Sequence, residues 1–202
     1  MSKKIAAGAD KIVIDVTVGS GAFMKDIHSA RILAKTMKEI GKEVGKETVC
    51  VLTNMDSPLG TSVGNSLEII EVVDALQGNI EEDVKEVILE IGSYIIKLAG
   101  AGEDLNQNKN RILESIASKK GYDKFIEMVK LQGGDISYIE EPTKFEKAKY
   151  VIPVLSENNG FVEKINAEIV GSISVYLGAG RMKKEDIIDS SVRNSFKQKN
   201  WR

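Results

Sequence analysis

Cysteine is nearly missing from this sequence of 202 residues. Cys50 stands alone, so an internal disulfide is excluded, and its place in the apolar run "TVCVLT" marks it as a small buried hydrophobe. A reducing compartment, the cytoplasm, is the expectation. A basic excess is also lacking. Lys and Arg number 28 against 30 Asp and Glu, a net charge of −2, which argues against a surface built to neutralise nucleic-acid phosphates. No apolar run reaches the roughly 18 residues of a membrane span. "MSKKIAAGAD" carries two lysines but no apolar core of signal-peptide length. Histidine occurs once, as His28 within a helical pattern, where a surface or packed role outweighs a catalytic one.

What is present is α/β patterning. "KIVIDVTV" (11–18) is short and β-branched and reads as a buried strand. Apolar residues Ile27, Ala30, Ile32, Leu33, Met37 and Ile40 then recur at helical spacing, with Gly45 as the stop. "ETVCVLT" (47–53) reads as a second strand. Strand, helix, strand is a βαβ unit, so the strands are expected to be parallel with a right-handed crossover. A polar loop, 54–66, leads into four helical patterns within 67–78, 81–100, 102–121 and 122–134, each closed by glycine. After Pro142, "KAKYVIPVLSENNGFVEKI" predicts two strands joined by a turn at Asn158-Asn159-Gly160, and "AEIVGSISVYLGAG" predicts a helix. The expected organisation is α/β over 1–145, with a parallel or mixed sheet, βαβ units and several helices. The start of an α+β unit follows over 146–192, and then a tail, 193–202.

The loop "DVTVGSGAFM" (15–24) raises the question of phosphate binding, since it follows a strand and opens a helix. Its spacing is not a dinucleotide fingerprint: Gly19 and Gly21 fit, but Met24 holds the third glycine position. No Gly-Lys-Ser/Thr follows, so it is not a P-loop either. A tight turn that needs glycine geometry accounts for it. Asp10, Asp15 and Asp56 have no spacing that demands a metal or an acid–base pair. Glu68 and Glu71 lie three apart on one helix face, and Lys3-Lys4 reads as surface charge.

Taken together, "SKKIAAGADKIVIDVTVGSGAFMK", "LTNMDSPLGTSVGNSLEIIEVVDALQG", "YVIPVLSENNGFVEKI" and "GAGRMKKEDIIDSSV" resemble the pyrimidine-nucleoside phosphorylase family, relatives of thymidine phosphorylase. The resemblance runs in order from Met1 to about Val192. It implies a cytoplasmic pentosyltransferase of nucleoside salvage that cleaves uridine- or thymidine-type nucleosides with phosphate, giving base and pentose 1-phosphate. Lys3 matches the lysine that hydrogen-bonds the pyrimidine ring, and Phe23 an aromatic that lines the base pocket. Leu59 and Ser62 match residues whose backbone carbonyls, with the carboxylate of Glu71, ligate a structural potassium ion. Thr17 departs from the family's usual lysine without touching an assigned role. The phosphate is held in the family by a Lys-His-Ser loop that this chain lacks, so no residue here is assigned a catalytic role. The family enzyme is a homodimer acting on nucleoside and phosphate, with no nucleic acid or membrane as partner.

Two departures shape the expectation further. Family members carry well over a hundred residues before the position of Met1, including the phosphate half of the site. After "DSSV" the family continues roughly "GIVLNKKIGD", where this chain has "RNSFKQKNWR". Back-translated with suitable codons and shifted by one base, that tail spells the family sequence, so a frameshift at about Arg193 and a disordered or loosely packed tail, with an exposed sheet edge beside it, are expected. The resulting reading is a central fragment, inactive alone. The alternatives are a non-catalytic remnant or assembly partner, a stricter thymidine phosphorylase, or a phosphoribosyltransferase of related architecture.

Overall fold

The computed structural model describes residues 1–192 and 194–197. They divide into two compact units that interleave along the chain, Met1–Asp56 with Glu82–Ser115, and Ser57–Glu81 with the residues from Ile116 on. The frameshift expected at Arg193 begins outside the described residues, as does the tail beyond 197.

The first unit is the βαβ motif with helices on it. A short helix α1 (Ser2–Ala6) precedes β1 (Lys11–Val18), helix α2 (Ile27–Glu43) and β2 (Glu47–Asn54). The two strands pair in parallel over their whole length, from Lys11 opposite Glu47 to Val18 opposite Asn54. β1 turns Ile12, Ile14 and Val16 to one face, and these three with Ala30 and Ala34 form the buried cluster of the unit. Alternation with period two puts the three on one side.

α2 meets this face differently from the reading of its large apolar residues. Its inward stripe is Ala30, Ala34, Met37 and Gly41, whereas Ile27, Ile32, Leu33 and Ile40 are exposed. The spacing of 4, 3 and 4 residues is the helical period. Small residues let the helix axis approach the strands closely, so the side chains of Ile12, Ile14 and Val16 fill the interface. At Gly41 the approach is closest: a Cβ there would lie 2.1 Å from Thr48 Oγ1 and 2.9 Å from the Lys46 carbonyl oxygen.

Helix α4 (Glu82–Leu98) also contacts both strands, and α5 (Leu105–Ala117) follows it. The α4–α5 pair is tied by a buried amide. Asn108 Nδ2 donates to the carbonyl oxygens of Ser93 at 3.2 Å and Gly102 at 2.9 Å. Lys109 Nζ reaches Glu90 Oε2 at 2.5 Å beside it.

The second unit holds the two-residue strand β3 (Ser62–Val63), helices α3 (Asn65–Leu76), α6 (Lys120–Leu131), α7 (Ser137–Glu140) and α8 (Ala167–Ser174), and strand β4 (Asn194–Ser195). α3 packs against α6 and buries Val73. Tyr138 and Phe145 meet with ring centroids 5.3 Å apart. α8 runs into a wide turn, Val175–Ala179, that ends the helix early at Gly178 (φ 110°).

Two expectations are corrected here. Residues 146–166 form no strand. Tyr150, Ile152, Val154 and Phe161 are 74–96% exposed. An isolated hairpin is marginal without a third strand or a helix to cover its apolar face, and among the described residues no strand or helix covers these four side chains. The expected turn survives locally as a bend, where the Ser156 hydroxyl donates to the Asn158 carbonyl at 2.6 Å. The second correction concerns the tail: Asn194–Ser195 is paired, antiparallel to Ser62–Val63. Ladder bonds join backbone groups, so a polar segment serves as well as an apolar one.

Gly41→Ala is expected to destabilise the chain by about 1–3 kcal/mol through overpacking against Thr48, despite the gain of roughly 1 kcal/mol in helix propensity. Urea unfolding measures it, and an unchanged or raised midpoint would count against the packing described. At the start of α2, Asp26 accepts from the Ser29 amide at 2.9 Å and the Ser29 hydroxyl at 2.7 Å. The amide bond first, then the hydroxyl, hold its carboxyl below the ordinary aspartate range. The cap's contribution is therefore complete above the ordinary value of about 3.9 and fades as pH falls through the lower folded value. Carboxyl-carbon chemical shifts should give Asp26 a midpoint under that value, and a midpoint at or above it contradicts the cap.

Candidate functional site

The glycine loop lies at the carboxyl end of β1, and its backbone donors are already engaged. Gly19 N–H donates to the Met24 carbonyl, Gly21 N–H to Met55 and Ala22 N–H to Gly19. The Ser20 amide donates to Asp56 Oδ1 at 2.9 Å, and the Ser20 hydroxyl to the Asp56 carbonyl at 2.9 Å. Gly19 has φ 133°, and a Cβ there would sit 2.6 Å from the Asp56 nitrogen. Glycine is required by a turn clamped from the end of β2, and these amides face protein acceptors in place of an anion. Asp56 is thus a structural partner of the loop. Its position 36 residues away from Ser20 left no local signal in the sequence.

The clamped turn presents Phe23, whose side chain is 98% exposed. Lys3 is exposed on α1. Their neighbours Met1 and Met24 both pack on the Ile12–Ile14–Val16 cluster, so α1 and the loop are seated on one core.

The second group of sequence-derived residues lies in the other unit. Loop 57–63 leads through β3 into α3, and Glu71, two turns into that helix, reaches back to it. Glu71 Oε1 accepts from the Thr61 amide at 2.8 Å and the Thr61 hydroxyl at 3.2 Å, and Oε2 from the Ser62 amide at 3.1 Å. Glu68 serves a different end: its Oε1 accepts from Gly64 N–H at 3.0 Å and closes the first turn of α3. The two carboxylates three residues apart therefore do separate work. Thr61, which sequence reasoning passed over, supplies two of Glu71's three donors.

Ser62 is brought to Glu71 through its amide, and Leu59 sits two residues before Thr61 with its side chain 43% exposed. A carboxylate oxygen and main-chain carbonyls are hard donors of the kind an alkali or alkaline-earth cation takes. The Thr61 carbonyl is committed to the Phe196 amide at 2.9 Å. Among the described residues no three His, Cys, Asp or Glu side chains converge as for a metal ion. A cation here would rest on one carboxylate oxygen and main-chain carbonyls, a donor set suited to a weakly hydrated monovalent ion.

The strand–helix–strand frame with its clamped glycine turn is that of an α/β domain, and comparison with known proteins agrees. The model of the "Glycosyl transferase family, a/b domain" matches residues 1–122, and that of the "Pyrimidine nucleoside phosphorylase C-terminal domain" matches residues 161–199. The chain belongs to this glycosyl transferase family. Within it, the chain is similar to proteins named pyrimidine-nucleoside phosphorylase. It is 42% identical over 192 residues to that of Geobacillus stearothermophilus (95% of this chain, 44% of the relative). It is 43% identical over 199 residues to that of Bacillus subtilis (98% and 46%). A Staphylococcus aureus relative is 42% identical over 192 residues, again 95% of this chain and 44% of the relative. The chain spans less than half the length of these curated relatives. Among the described residues no helix is long and apolar enough to cross a membrane.

Glu71→Ala would strand the Thr61 and Ser62 amides and the Thr61 hydroxyl. A loss of about 1–3 kcal/mol is expected in urea unfolding. A variant as stable as the parent would mean that Glu71 does not hold the loop.

Proposed function

We propose that this chain is the base-side portion of a pyrimidine-nucleoside phosphorylase and that it does not turn over nucleoside alone. The observation that carries this reading is the ordered succession of two matched domains, 1–122 and 161–199, in a chain 42–43% identical to phosphorylases along nearly its whole length. In the full reaction a phosphate oxygen attacks the anomeric carbon of the pentose. The new C–O bond forms as the C–N bond to the base breaks, and the base departs with the electron pair. Lys3 would donate its ammonium N–H to a carbonyl oxygen of the pyrimidine and stabilise the charge gathered there on departure. Phe23 would cover the face of the base, an apolar surface that excludes water beside that charge.

Leu59 and Ser62 carbonyls with Glu71 would hold a potassium ion. Its chemistry is structural: a positive charge that draws loop oxygens together. By the same reading the full-length protein is a homodimer of cytoplasmic nucleoside salvage, acting on free nucleoside and phosphate.

Phosphorolysis needs both reactants oriented together, an advantage equivalent to effective concentrations of roughly 10⁵–10⁸ M. This chain lacks the Lys-His-Ser motif that holds phosphate in the family, so uridine or thymidine with phosphate should release no measurable base. Release at a rate near that of a full-length relative would overturn the incomplete-site reading. Uracil binding tests the base side directly. Ligand-observed NMR should show saturation transfer to uracil that drops in Lys3→Ala, and equal transfer in both proteins would remove Lys3 from the site.

A further inference from the structure

The described residues between Ser174 and Phe196 are anchored on the first turn of α3 and on the loop before it, which carries Glu71's donors. Ser66 Oγ donates to the Ser190 carbonyl at 2.9 Å, and Asn65 Nδ2 to the Ala179 carbonyl at 3.0 Å. Asn194 Nδ2 donates to Ser174 Oγ at 2.9 Å, and that hydroxyl in turn donates to the Val170 carbonyl at 2.9 Å. β4 lies antiparallel to β3, Asn194 opposite Val63 and Ser195 opposite Ser62. The Phe196 amide then donates to the Thr61 carbonyl at 2.9 Å. Thr61 is the pivot, its amide and hydroxyl bound to Glu71 and its carbonyl to the strap.

We propose that Asn194–Phe196 is a positioning strap for the Glu71 loop, and that it fixes the extended path of Thr61–Val63 on which the amides of Thr61 and Ser62 converge on one carboxylate. Gly60 and Gly64 both take positive φ (69° and 141°), and glycine in such a loop has wide conformational freedom in the unfolded chain. Glu71 and Glu68 restrain it from the side of α3. A second, antiparallel partner removes the remaining freedom by pairing the backbone itself. The strap rests on the geometry of this unit alone. Its consequence for a monovalent cation rests on the reading of Glu71 as a potassium ligand.

Amide hydrogen exchange by NMR tests the strap. Phe196→Pro deletes the N–H that bonds the Thr61 carbonyl. Thr61 and Ser62 amides should then exchange about three- to tenfold faster, the worth of one net hydrogen bond, while Ile14 and Val16 in the other unit keep their rates. Unchanged exchange at Thr61 and Ser62 in the folded variant overturns the proposal. The unaltered chain gives a second measurement that does not depend on the variant's folding. Phe196, Thr61 and Ser62 should open together, with one opening free energy and one denaturant dependence. A Phe196 amide that exchanges freely while Thr61 and Ser62 stay protected overturns the strap. For the cation, potassium chloride against lithium chloride at equal ionic strength should shift the amides of residues 59–62 in the parent and shift them less in Phe196→Pro. Equal shifts in both proteins overturn the coupling. Absence of any potassium-specific shift overturns the cation reading, and the exchange rates still decide the strap.

Discussion

The parallel pairing of Lys11–Val18 with Glu47–Asn54 is the constraint on which the first unit depends. A parallel pair cannot be closed by a tight turn. It needs a long crossover, and here that crossover is α2. The helix must return across the strands it connects, so its inner face is pressed on Ile12, Ile14 and Val16. Ala30, Ala34 and Gly41 are the answer to that pressure. The same pairing brings the ends of the strands side by side, so Met55 N–H reaches the Val18 carbonyl and Asp56 reaches Ser20. The glycine loop is therefore shaped by the end of a strand 36 residues away.

In the second unit a single carboxylate plays the corresponding part. Glu71 gathers three donors from a loop ten residues earlier. Buried or half-buried amides must find acceptors, and a charged acceptor makes the stronger bond. This gives the loop a defined path, and β4 reads that path from the other side.

The segment 146–166 shows the limit of pattern without a partner. "YVIPVL" and "GFVEKI" have the composition of strands, yet their side chains face solvent. Strand propensity measures fit to a pleated, half-buried surface, and where no such surface is offered the pattern has nothing to register against.

Much of the architecture was legible in the residues themselves. β1 begins and ends where its β-branched run does, and the βαβ order, the long helices between residues 65 and 131 and the glycine stops at Gly45, Gly78 and Gly100 follow from period and turn chemistry. The stop expected at Gly121 does not form, because α5 ends at Ala117, Lys119 takes the left-handed turn (φ 60°) and Gly121 lies inside α6. The family resemblance was carried by long ordered motifs and singled out Lys3, Phe23, Leu59, Ser62 and Glu71. Tertiary structure decided the rest. Helical periodicity is indifferent to which stripe turns inward, so only the close approach of α2 to the sheet chose the small residues over Ile32 and Ile40. Glu68 and Glu71 are the same residue type on the same helix, and only the return of loop 57–63 separated a helix cap from a loop anchor. Asp56, Thr61 and Asn194 are ordinary polar residues in any local window. Their roles arise from partners far off in sequence, and hydrogen bonds between distant backbones are written in no local pattern.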